Sequence, residues 1–399
     1  MTIPGYISLT TLRSAYHAVI LSSGTSGSRR LSIPGENLRG VVSAQEFVGF
    51  YNGHPDQHLT TFDFKKSETA VIIGMGNVSL DIARMLLKAP SALESTDITS
   101  RAIDVLRESG IKNVNIYGRR GPAQVAFTTK ELREIFSLQN LNIHIDADIL
   151  SKAFETHQES IANDRPLKRL FDLFHASLKK PKNPSFHNLH FKFFSIPLKI
   201  VTRSDQPINH TTSIPSERLC ISFEKNVNVE SQSIIHSQTD NTSIECDIIF
   251  KSIGYTSTAP PTIQFDHRKN QIRNNQGRIL DVAGEPLVGM YVSGWLKTGP
   301  KGVIAETMYS AQSTSESIIK DIQEKRLVIE YKDGIIEMKK KGWGRTVTEQ
   351  EWANIDRIEK DAGLANKKVR EKVSDWKELL RISRLYPQTE SEDILDDDR

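Results

Sequence analysis

The sequence predicts an α/β fold built on parallel strands, and three observations predict it. A β-branched run, Thr69–Ile73, enters a glycine turn at 74–76 and continues as an amphipathic helix over 77–88. A second strand, Asn113–Tyr117, completes a strand–helix–strand unit, whose helical return makes the two strands parallel. Near the C-terminal third another strand, 289–293, again runs into a Gly-rich loop and a helix over 304–319.

Taken in order, the N-terminus reads as a turn, a short helix and a strand at 18–21 that ends in Ser22, Ser23 and Gly24. Opening on what reads as an internal strand predicts a truncated domain. Residues 32–53 read as loop, with Pro34-Gly35 and Asn52-Gly53 as turns, and a polar linker follows near 54–68. After the 69–88 unit comes a polar insertion over 89–110 with helical pattern near 101–109. Residues 128–140 are helical, and Thr128 with Glu131 reads as a capping box. A further helix is expected within 158–183, and 186–250 reads as antiparallel strands closing with a strand at 247–250. The last 70 residues read as charged helix, ending in the acidic run 390–398.

Composition narrows the function. Lys and Arg number 52 against 49 Asp and Glu, so the net charge of +3 gives no general affinity for nucleic acid or membrane. An electrostatic partner must be met by a local patch. Cys220 and Cys246 have no metal-ligand or CxxC spacing and read as reduced structural residues. No apolar run reaches the ~18 residues of a membrane helix, and the N-terminus has neither the basic residues nor the long apolar run of a usual targeting segment.

The motif GMGNVSLD, Gly74 to Asp81, sits between strand and helix. Gly74 permits the turn, Gly76 lets backbone approach a pyrophosphate, and the helix N-terminus supplies N–H groups and partial positive charge. Ser79 is the small third position. The strand Asn113–Tyr117 leads into Arg119 and Arg120, where an NAD site would place an acid; two guanidiniums there suit a 2′-phosphate, hence NADP(H). SGWLKTGPKGVIAETM, Ser293 to Met308, offers a second helix N-terminus beside a Gly-rich loop, with Trp295 either stacking on a cofactor or packing. His54, His58, His187 and His190 are scattered and read as surface or packing residues. No catalytic triad, carboxylate pair or metal cluster emerges, and hydride transfer between cofactors requires none.

The runs IPGENLRGVVSAQEFVGFYNG, VIIGMGNVSLDIARMLL, ALESTDI, YGRRGPAQVAFTTKELREIF, SIGY and SGWLKTGPKGVIAETM resemble the adrenodoxin reductase family, mitochondrial ferredoxin–NADP⁺ reductases, in order and spacing over nearly the whole chain. The resemblance implies two Rossmann-like nucleotide-binding domains in a glutathione-reductase-like arrangement. An NADP domain at 67–255 would be inserted into an FAD domain made of 1–66 and 256–399. NADPH would reduce FAD, and the flavin would pass electrons to a small acidic [2Fe-2S] ferredoxin. Met75, Gly76, Asn77, Val78, Arg119, Arg120, Glu131 and Gly302 would contact NADP, and Trp295, Gly302, Val303 and Ile304 would contact FAD. Arg133, Arg165, Lys168 and Arg169 would dock the ferredoxin. A monomer on the matrix side of mitochondria, with at most peripheral membrane association, is implied.

This sequence departs from the family at its start. The family opens with a strand, GxGPAG and a helix that cradle the FAD pyrophosphate, and this sequence begins roughly a hundred residues into that pattern. The departure predicts an exposed sheet edge. It also raises a second reading, a flavin-free remnant that holds NADP(H) or ferredoxin without turnover. A relative of the glutamate synthase small subunit ranks last, because that family keeps an acid in the last flavin loop where this chain has Trp295.

Overall fold

A computed structural model describes residues 8–57, 64–203, 218–226, 241–300, 302, 304–340 and 347–384. The chain forms two compact units, one of residues 1–29 with 254–347 and one of 30–253 with 348–399.

The larger unit is organised by a six-stranded parallel sheet in the order Val41–Ser43, Ile248–Lys251, Thr69–Ile73, Asn113–Tyr117, His187–Lys192, Leu141–His144. Its central strands bury nearly every side chain, as a sheet covered on both faces requires. On one face, helices Asn77–Leu87, Ser100–Arg107, Thr129–Phe136 and Arg165–Leu178 deliver Leu80, Ile103, Leu132 and Phe174 to a core centred on Ile72, Ile116 and Phe191. Burial of each such side chain stabilises the fold by about 1.5–3 kcal/mol. On the other face, the antiparallel strands Ser195–Arg203, Arg218–Lys225 and Asn241–Cys246 pack Ile200, Ile221 and Phe223 on Val71, Ile73 and Ile249. Tyr117 stacks on Phe223 at 3.9 Å.

Several expectations need correction here. Strand His187–Lys192 joins the parallel sheet rather than an antiparallel set, because Leu189 and Phe191 have a helix-covered face to fill. Residues 32–53 are more than loop. Strand Val41–Ser43 leads into helix Ala44–Tyr51, started by a capping box between Ser43 and Glu46 that the turn residues around it disguised. The Thr128–Glu131 capping box does not form; Thr128 makes no side-chain cap bond.

The expected domain limits differ from the compact units at 30–66 and 348–399, which cluster with the larger unit. Strand pairing at Val41–Ser43 fastens the first segment. The second is bolted on by Glu371, whose carboxylate accepts from Ser100 N–H at 2.9 Å, and by Lys372 on Asp97 at 2.8 Å.

In the smaller unit, Val19–Leu21 pairs in parallel with Pro286–Val292, which pairs antiparallel with Arg278–Leu280. Among the described residues Val19–Leu21 stands at the edge of this sheet, with Ile20 48% exposed. The helix Ile304–Gln323 is unusual in what it turns inward: Ser310, Thr314, Ser317 and Asp321 are buried, while Ile304, Met308 and Tyr309 are exposed. At Ser317 and Asp321 the inward face is satisfied by charge pairing and hydrogen bonds from Arg278, while Ser310 Oγ has no partner. Arg278 donates twice to Asp321, and Tyr291 Oη donates to the same carboxylate at 2.9 Å. Burial would raise the Asp321 carboxyl, but the bonds from Arg278 and Tyr291 outweigh it and hold it low.

Candidate functional site

In the larger unit, Thr69–Ile73 and Asn113–Tyr117 run parallel with Ile73 opposite Tyr117, so the loops that follow them leave the same end of the sheet. Gly74 makes the first turn at φ +125°; a Cβ there would lie 2.1 Å from Ser252 O, so both conformation and space demand glycine. Gly76 is the N-cap of helix Asn77–Leu87 and contributes no side-chain cap bond; a Cβ on it would meet nothing within 4 Å. The helix N-terminus therefore faces open space, with its first-turn donors uncapped by any side chain. Ser79 is fully buried, so the helix sits close on its strand.

The loop after the second strand closes one side. Ala126 N–H donates to Met75 O and Thr128 N–H to Asn77 Oδ1, both at 2.8 Å. The latter bond replaces the expected capping box. It leaves the Glu131 carboxylate in the first turn of helix Thr129–Phe136, with Oε2 buried and unpartnered. A buried carboxylate oxygen without a donor is costly unless a ligand supplies one. Arg119 and Arg120 are exposed at the strand end. Their carbonyls accept from Asn226 and Phe194, while neither guanidinium meets a carboxylate among the described residues.

Met75, Gly76, Asn77, Val78, Arg119, Arg120 and Glu131 thus gather at one sheet end. An uncapped helix N-terminus, two free guanidiniums and one orphaned carboxylate oxygen fit a dinucleotide carrying a pyrophosphate, an extra phosphate and hydroxyl or amide donors.

The residues expected at the flavin lie in the smaller unit. Helix Trp295–Thr298 begins after Gly294, at φ +64°, and Trp295 packs beside Tyr255 with ring centroids 6.0 Å apart. Gly302 has φ +87°, and its Cβ position is filled by Glu306 Oε2. Ile304 is 83% exposed. Val303 lies outside the described residues. A half-buried indole and an exposed aliphatic helix start fit one face of a fused aromatic ring. The Glu306 carboxylate over Gly302 is a departure from a bare helix N-terminus: it uses the partial positive charge there itself.

The four predicted docking residues are all exposed. Arg133 is on helix Thr129–Phe136, and Arg165, Lys168 and Arg169 are on helix Arg165–Leu178, which packs against it. Asp164 caps the second helix through Leu167 N–H. None of the four pairs with a carboxylate among the described residues, so their charge faces solvent.

Other motif residues prove structural. Glu36 of IPGEN is buried, accepts from Leu31 and Ser32 N–H and pairs with Lys251 at 3.0 Å. Burial raises its carboxyl, and these bonds outweigh that and lower it. His190 stacks on His144 at 4.2 Å, and His54 packs beside Trp376; His58 lies outside the described residues. Cys220 and Cys246 are free thiols, and burial pushes the Cys246 thiol far up. Among the described residues no group of metal-ligating side chains forms, and no helix is long and apolar enough to cross a membrane. Sequence reasoning gave Lys297 no role, although it stands inside the last Gly-rich motif. The signal was a lysine between a tryptophan and a glycine turn, just ahead of a helix.

No protein-family model matches the chain. Among curated proteins it is similar to the mitochondrial NADPH:adrenodoxin oxidoreductase of Arabidopsis thaliana, 37% identical over 386 residues, covering 94% of this chain and 78% of the relative. The human protein of the same name is 36% identical over 390 residues, covering 94% and 76%. Among solved structures, Mycobacterium tuberculosis FprA in complex with NADPH superposes with a TM-score of 0.81 at 32% identity, covering 94% of this chain and 81% of that one.

Proposed function

This chain belongs to the NADPH:adrenodoxin oxidoreductase family, whose members are NADPH-dependent flavoprotein reductases using NADP and FAD, and we propose that its own electron acceptor is a small acidic [2Fe-2S] ferredoxin. The observation that carries the proposal is the unpaired basic set Arg133, Arg165, Lys168 and Arg169 on two packed helices of the unit that holds the candidate dinucleotide site. Such a set steers an acidic partner and raises its association rate. The mitochondrial names of the relatives support a mitochondrial location, and the matrix side is part of the proposal.

We assign the dinucleotide to the larger unit. Gly76, Asn77 and Val78 offer backbone N–H groups to the pyrophosphate, and Met75 walls the turn against Gly118. Arg119 and Arg120 grip the 2′-phosphate. Glu131 accepts from a hydroxyl or amide of the nucleotide. Trp295, Gly302 and Ile304 hold the flavin edge; Val303, expected with them, lies outside the described residues. When bound, FAD accepts hydride and releases electrons singly; the side chains named here bind and orient, and none moves a proton.

The test is the purified chain itself. About one FAD released per chain, with NADPH-driven reduction of a [2Fe-2S] ferredoxin, is the expected result. NADPH binding without flavin, and no turnover after FAD is added, favours the second reading, a remnant that binds without catalysis.

A further inference from the structure

Lys297 lies in the Gly-rich motif but is not among the residues assigned to either cofactor. Its ammonium donates to Ser310 O at 2.9 Å and to Thr314 Oγ1 at 3.0 Å, both on helix Ile304–Gln323. Thr314 Oγ1 donates onward to Val292 O at 3.0 Å, at the end of strand Pro286–Val292. The Lys297 carbonyl accepts from Asn274 Nδ2 at 3.2 Å. The Lys297 side chain therefore ties the short helix that begins at Trp295 to the long helix that begins at Ile304, and Thr314 extends the link to the strand.

The partners are all neutral oxygens. Lys297 meets no carboxylate among the described residues, and burial lowers its affinity for a proton. Two of its three N–H groups are used. A half-buried ammonium without an anion costs more than an apolar brace of the same length, so holding the helices together does not by itself explain the charge. The neighbouring Ser310 Oγ is also buried and unpartnered. What Lys297 does fix is the spacing between Trp295 and the start of the long helix, the two elements that carry the residues expected on the flavin.

We propose that Lys297 is the positioning residue of the flavin site: by bridging Ser310 O and Thr314 Oγ1 it sets the distance between the Trp295 turn and the Ile304 helix. The inference rests on the flavin reading above and assigns a residue that reading leaves out.

The experiment compares the full chain with Lys297→Met, which keeps the length and removes the charge, and Lys297→Arg, which keeps the charge. Amide hydrogen exchange in the turn 310–314 is measured without flavin, and the FAD dissociation constant by flavin fluorescence. Expected are faster exchange in Lys297→Met and FAD binding weakened by about tenfold, as for loss of a charged hydrogen bond, with Lys297→Arg, which keeps a charged donor, binding FAD more tightly than Lys297→Met. Wild-type FAD affinity in Lys297→Met overturns the proposal, even if its melting temperature falls. Wild-type exchange in 310–314 overturns the brace. If the unsubstituted chain takes up no FAD, the flavin reading fails, and the exchange measurement still decides the brace.

Discussion

Thr128 N–H donates to Asn77 Oδ1 at 2.8 Å, and that bond joins the loop after one parallel strand to the first turn of the helix after its neighbour. Asn77→Ala frees both ends of it. NADPH should bind about 2- to 12-fold more weakly, the range for one ordinary hydrogen bond of ~0.5–1.5 kcal/mol. Titration of the purified chain with NADPH, followed by nucleotide fluorescence, checks this; unchanged affinity would remove the loop tie from the site.

Arg119 and Arg120 separate NADPH from NADH. Replacing both with Ala should cost roughly 1.5–3 kcal/mol of NADPH affinity for each charged hydrogen bond lost. NADH, which lacks the 2′-phosphate, should bind the variant as it binds the parent. Equal losses for the two nucleotides would argue that the pair is only a solvated surface dipeptide.

Gly74→Ala tests the turn itself. The residue sits at φ +125°, and a Cβ would fall 2.1 Å from Ser252 O. Strain and overlap together should destabilise the larger unit by about 2–4 kcal/mol, read as a lower urea midpoint. Gly76→Ala should leave that midpoint nearly unchanged, since its Cβ meets nothing within 4 Å, while weakening nucleotide binding by crowding the phosphate.

His190 gives the fold an acid limit. Burial, then the neighbouring His144, Lys192 and Lys182, push its pKa down to about 4 from an ordinary 6.5. The ring therefore stays neutral when folded, while the unfolded chain protonates it below about pH 6.5. Between roughly pH 6.5 and 4 the unfolded state binds more protons, so stability falls as pH falls through that window and is fully present above it. The Lys182 ammonium can only donate, so His144 Nδ1 accepts from it and Nε2–H points to Asn188 Oδ1. His190→Gln should flatten the dependence of the urea midpoint between pH 7.5 and 5. An unchanged slope would assign the acid limit to other groups.

Charge reversal at Arg133 and Lys168 should slow ferredoxin reduction by on the order of tenfold at low salt and flatten its salt dependence. NADPH-driven reduction of a small uncharged dye should be untouched. Parallel loss with both acceptors would place these residues outside a docking role.

The sequence by itself determined the parallel strand–turn–helix unit. Thr69–Ile73 and Asn113–Tyr117 were legible to the residue, because β-branched runs bounded by glycine and charge leave little choice. It also determined the family, through long motifs around Gly74, Arg119 and Trp295. What it misread were pairings between distant segments. Thr128 and Glu131 carry a capping box by local spacing, yet the acceptor that takes the Thr128 N–H is Asn77 Oδ1, 51 residues back, and the Glu131 carboxylate oxygen Oε2 is left without a donor. His187–Lys192 looked like one antiparallel strand among several until the helix core claimed Leu189 and Phe191. Lys297 was visible as a letter, but its partners Ser310 and Thr314 lie on another element. Local propensity is a property of neighbours along the chain, whereas the satisfaction of buried polar groups depends on whatever the fold brings near, and only the tertiary structure decides that.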